Sequence, residues 1–66
     1  MKLKAGHVAF LNEMALVDFD GALKMVDGLN MLSQYEYGFV RMNENEYRLV
    51  YWKDGILKDA YRNCED

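Results

Sequence analysis

Catalysis by a nucleophile needs the nucleophile, a base and a group that orients the base. This chain offers two nucleophiles, Ser33 and Cys64, and one imidazole, His7. Ser33 reads as a helix-end residue, Cys64 lies in a polar tail, and His7 stands at a helix start, so no triad is expected. Asp18 and Asp20 could share acid–base work, but their place at a helix start is explained by capping. Asp18-x-Asp20-Gly21 has the opening of a calcium loop without its bidentate glutamate, so no metal site is expected. Glu44 and Glu46 flank a turn, and the five glycines are too scattered for a phosphate loop. One cysteine and one histidine also exclude a Cys/His zinc site within one chain. The expectation is a protein with no catalytic residues, no metal and no cofactor.

Binding is the better lead. The segment from Tyr35 to Tyr61 alternates in hydropathy and holds Tyr35, Tyr37, Phe39, Tyr47, Tyr51, Trp52 and Tyr61. Alternation puts successive side chains on opposite faces of a strand. Asp54-Gly55 is a strong hairpin signal of type I′, and Asn43-Glu44-Asn45-Glu46 reads as another turn. Three strands follow, at Tyr35–Met42, Tyr47–Lys53 and Ile56–Arg62. The hairpin pairs Trp52 with Leu57, Val50 with Asp59 and Leu49 with Ala60. A two- or four-residue first loop pairs Met42 with Tyr47, Val40 with Leu49 and Gly38 with Tyr51. A three-residue loop would instead slip the register and swap the first strand's faces.

Two helices precede the strands. Residues 7–16 place Val8, Leu11 and Ala15 on one side and Asn12 and Glu13 on the other. Gly6 is a weak N-cap, and the competing reading is a short strand over Val8–Leu11. The second helix opens at Asp18 or Asp20 and runs to about Leu32. Its stripe is Phe19, Ala22, Leu23, Val26 and Leu29. The fold class is therefore α+β, with two short N-terminal helices packed on a three-stranded antiparallel β-meander, in one domain over residues 1–66.

In the expected register one sheet face carries Val40, Met42, Tyr47, Leu49, Tyr51, Ile56 and Ala60. Its central row is apolar, and Gly38 and Ala60 would admit a helix closely. The other face carries Tyr35, Tyr37, Phe39, Val50, Trp52, Leu57 and Tyr61, with Asp59 in its central row and Arg41 beside Arg48. Those polar groups would be costly under a helix and suit an interface rim. The expected protein-binding residues are Tyr35, Tyr37, Phe39, Arg41, Arg48, Val50, Trp52, Leu57 and Tyr61. In the competing arrangement the aromatic stripe is core, and the remaining apolar face still needs cover.

Phe19-Asp20-Gly21-Ala22-Leu23, followed by Gly28, resembles the helix opening of a small phage family that sequesters cyclic ADP-ribose signals to defeat Thoeris immunity. The resemblance spans residues 19–28. The basic residue and tryptophan that follow the glycine in that family are absent here, so its ligand residues are not carried over.

Size and charge narrow the classes further. A core of 66 residues supplies only about 3–5 kcal/mol, and such chains commonly add a disulfide, a metal or a partner. A lone cysteine closes no disulfide within the chain. Eight Lys and Arg against eleven Asp and Glu, with no basic cluster, argue against nucleic acid. No stretch has the length of a membrane span, and the expected compartment is the cytoplasm. The partner expected is a second copy, a larger protein, or both. A small acidic chain of this kind would suit a phage- or mobile-element-encoded inhibitor or accessory factor. The alternative is a small-ligand, nucleotide-signal binder with its site at an oligomer interface.

Overall fold

The computed structural model describes residues 3–33 and 35–63. Cys64 therefore lies outside the described residues. The order is α1 (Ala5–Val17), α2 (Phe19–Leu32), β1 (Glu36–Asn43), β2 (Glu46–Lys53) and β3 (Ile56–Asp59). The strands form one antiparallel sheet with β2 in the centre. The helices cover one face, α1 lying over β2 and α2 over β1.

α1 starts two residues before the expected stretch, and its cap is Lys4 rather than Gly6. Lys4 has extended backbone and makes no side-chain capping bond; its carbonyl accepts from the N–H groups of His7 and Val8. A single residue, Asp18, separates the helices. Its N–H closes α1 on the Met14 carbonyl at 2.7 Å. Its carboxylate opens α2 by accepting from the Gly21 N–H at 3.1 Å. A Cβ at Gly21 would come within 2.4 Å of that carboxylate, so glycine leaves room for the cap. Gly28 is a helix-interior residue, and α2 runs on to Leu32.

The hairpin Asp54-Gly55 forms as expected, with φ of 54° and 77°. It pairs Lys53 with Ile56, Trp52 with Leu57 and Val50 with Asp59. The first hairpin corrects the expected register. Asn43 pairs with Glu46 across the turn, but Arg41 rather than Met42 opposes Tyr47, and a bulge lies between Arg41 and Asn43. From there Phe39 opposes Leu49, Gly38 opposes Val50 and Tyr37 opposes Tyr51. The bulge is held by side chains: Asn43 Oδ1 accepts from the Asn45 N–H, Asn43 Nδ2 donates to Glu46, and Arg41 Nε donates to the Asn43 carbonyl.

One inserted residue turns every side chain of β1 upstream of it over. Tyr35, Tyr37 and Phe39 thus join Tyr47, Leu49 and Tyr51 beneath the helices. Tyr37 and Tyr51 are buried, and their rings stand 5.5 Å apart. Phe19 of α2 stacks on Tyr47 at 5.1 Å and on Phe39 at 6.0 Å. Leu49 at the centre is fully buried with Val8, Leu11 and Val26. The bulged register buries more aromatic surface than the expected one, which would have put Gly38, Val40 and Met42 there. Gly38 faces away from the helices, so it gives no helix a close approach.

Three asparagine amides close sheet edges. Asn30 of α2 donates to the Tyr37 carbonyl and accepts from the Tyr37 N–H at 2.7 Å, standing in for a neighbouring strand. Asn12 of α1 accepts from the Leu49 N–H at 2.8 Å, where β3 has ended. Asn63 donates to the Asp59 carbonyl at the end of β3. β3 is shorter than expected, and residues 60–62 form a turn rather than strand.

Leu49→Ala empties the centre of the core and should cost about 2–5 kcal/mol, enough to abolish most of the far-ultraviolet circular dichroism of so small a domain. Asn30→Ala strands both polar groups of Tyr37 and should lower the urea-unfolding free energy by about 1–3 kcal/mol. A loss under about 0.5 kcal/mol would show that water serves that edge equally well.

Candidate functional site: the uncovered sheet face

The face away from the helices is built by β2 alternation and by the two turns. β2 directs Glu46, Arg48, Val50 and Trp52 outward. The type I′ hairpin sets Leu57 beside Trp52 and Asp59 beside Val50. The bulge sets Glu36, Gly38 and Val40 beside Trp52, Val50 and Arg48.

The result is a shallow groove whose lining includes the side chains of Glu36, Val40, Val50, Trp52 and Leu57 around Gly38, with Tyr37 and Phe39 also bordering it. Trp52 and Leu57 are 51% and 47% exposed, although both are large and apolar. Gly38 leaves a notch above Val50, since a Cβ placed there would meet nothing within 4 Å. Interior strand glycine is otherwise unfavourable and often marks close approach by another molecule.

A charged cluster bounds one side. Arg48 Nε meets Glu46 Oε2 at 3.2 Å and Arg48 Nη1 meets Asp59 Oδ2 at 3.1 Å. The bonds to Glu46 and then Asp59 raise the Arg48 pKa and hold it charged. Asp59 Oδ1 also accepts from the Tyr61 N–H. At the opposite end Glu36, directly across from Trp52, has no ion-pair partner among the described residues.

Of the expected binding residues, Arg48, Val50, Trp52 and Leu57 share this face. Tyr35, Tyr37 and Phe39 do not: the bulge puts them under the helices. Arg41 lies on that covered side too, its guanidinium 5.7 Å from the Tyr47 ring. Tyr61 sits in the turn after β3, half-exposed, and lines a second cleft with Asn12, Glu13, Glu46, Arg48, Asp59 and Arg62. That cleft carries three carboxylates against two guanidiniums, and Arg48 is already engaged, so an anionic phosphate would meet net negative charge there. Glu36, Gly38 and Val40 were missed from sequence. The signal that finds them is the larger aromatic burial offered by the slipped register.

The residues weighed for chemistry fall into structural roles. Ser33 Oγ accepts from the Tyr35 N–H at 3.0 Å, as befits the turn after α2. His7 is exposed in the first turn of α1. Among the described residues no cluster of His, Cys, Asp and Glu could hold a metal ion, and no helix is long and apolar enough to cross a membrane. No family model, curated protein or solved structure matches the chain.

Tyr37, expected at an interface, is instead a core phenol. Burial first, then the neighbouring Tyr51, raises its pKa above the ordinary 10.0; a bond with Ser33 pulls the other way. In the unfolded chain Tyr37 ionises at the ordinary value, in the folded chain later. The stability it contributes is complete below pH 10 and falls as pH rises through the folded value. Melting temperature should therefore drop in alkali, and Tyr37→Phe should flatten the drop. Parallel alkaline profiles for the two proteins would contradict a titrating, desolvated Tyr37.

Proposed function

We propose that this chain is a non-catalytic protein-binding module that works through the uncovered sheet face. The observation that carries the reading is the half-exposed pair Trp52 and Leu57 around the Val50 notch, on a sheet whose other face already supplies the core. Tryptophan and arginine are favoured interface anchors. The asparagine amides at Tyr37, Leu49 and Asp59 discourage edge-to-edge strand pairing, so a partner meets the face of the sheet. Such a module fits an inhibitor or accessory factor that masks a surface of a larger protein, of the kind phages and mobile elements encode.

The test is affinity capture from the native host with the wild-type chain, Trp52→Ala and Phe10→Ala, each checked by circular dichroism. Phe10 is half-exposed on α1 and stands as the control. Trp52→Ala should stay folded and lose at least about tenfold in partner recovery, whereas Phe10→Ala should keep it. Equal recovery by all three would place binding elsewhere.

A further inference from the structure

We infer that the partner segment seated on the uncovered face is cationic and extended, with an apolar side chain two residues from an arginine or lysine. This rests on the uncovered face being the binding surface. Gly38 and Val50 oppose each other and form the notch, which takes an apolar side chain. Glu36 and Trp52 oppose each other two residues further along β1 and β2. Two residues of strand span about 7 Å, which is also the spacing of side chains i and i+2 on an extended peptide. An apolar residue in the notch therefore sets the residue two positions away over Trp52 and Glu36.

That second position has the chemistry of a cation site. An indole face attracts a guanidinium or ammonium group, and the Glu36 carboxylate beside it, with no ion-pair partner among the described residues, supplies the opposite charge. Lys53, the adjacent cation, does not fill it, because its Nζ sits 5.6 Å over the Tyr35 ring on the covered side. Arg48 does not fill it either, being held by Glu46 and Asp59.

The same charges argue against a second copy as the occupant. Glu36, Glu46 and Asp59 on this face outnumber Arg48, and two such faces in contact would juxtapose like charges. A cationic partner meets complementary charge instead.

The probe is a displayed library of random heptapeptides, selected on the full-length chain and re-scored on Gly38→Val and Glu36→Gln. Trp52 is the sole tryptophan, so its emission follows binding of each selected peptide directly. The expected consensus is an apolar residue with arginine or lysine two positions away on either side. Gly38→Val should fill the notch, keep the fold and weaken binding about tenfold. Glu36→Gln should weaken it about threefold, and added salt should weaken it further. A neutral or acidic consensus that Gly38→Val still displaces overturns the cationic segment while leaving the binding face in place. So does the absence of selected peptides together with amide shifts at Gly38, Val50 and Trp52 that grow with protein concentration, which makes a second copy the occupant. No peptides and no such shifts overturn both this inference and the protein-binding reading.

Discussion

The structure depends on a single extra residue in β1. Side chains on a strand alternate with a period of two, so one unpaired residue between Arg41 and Asn43 decides which half of β1 meets the helices. The bulge costs ladder pairing, and the local bonds of Asn43 and Arg41 offset part of that cost. What it secures is larger. Tyr37 and Phe39 pack against Tyr51, Tyr47 and Phe19, and Leu49 gains a closed shell. In domains this small, where a core typically supplies only about 3–5 kcal/mol, two aromatic rings moved from solvent to core outweigh one irregular pair.

The same inversion leaves the other face uncovered. Gly38 and Val40 join Val50, Trp52 and Leu57 there in place of Tyr35, Tyr37 and Phe39. Asn12, Asn30 and Asn63 satisfy backbone groups where strand pairing stops. Two of these amides come from the helices that cover the core face, so helix docking and edge closure are one event. With the Tyr37 edge of β1 and the end of β3 capped in this way, the broad open surface of the sheet is its uncovered face.

Much of this was legible in the residues. The second helical stripe, the Asp18 cap, the Asp54-Gly55 turn and the central place of Leu49 follow from local spacing, where one residue type satisfies one geometric demand. The register of β1 was not, because the bulge carries no glycine and its bonds come from Asn43, which reads as an ordinary turn residue, and Arg41, which reads as an ordinary strand residue. The make-up of the open face follows from that one register: Glu36, Gly38 and Val40 stand where Tyr35, Tyr37 and Phe39 were expected. The end of β3 was also not legible, since Ala60, Tyr61 and Arg62 read as strand while Asn12 and Asn63 supply the competing bonds.

The register of β1 against β2 is the claim on which both faces rest. Opposed residues that do not exchange ladder bonds bring their α-protons close, and in the bulged register Phe39 and Leu49, and Tyr37 and Tyr51, are such pairs. Nuclear Overhauser spectra of the isotopically labelled protein should therefore show strong α-proton contacts between Phe39 and Leu49 and between Tyr37 and Tyr51. Contacts of Val40 with Leu49 and Gly38 with Tyr51 in their place would restore the unbulged register, return the aromatic residues to the open face and contradict the account.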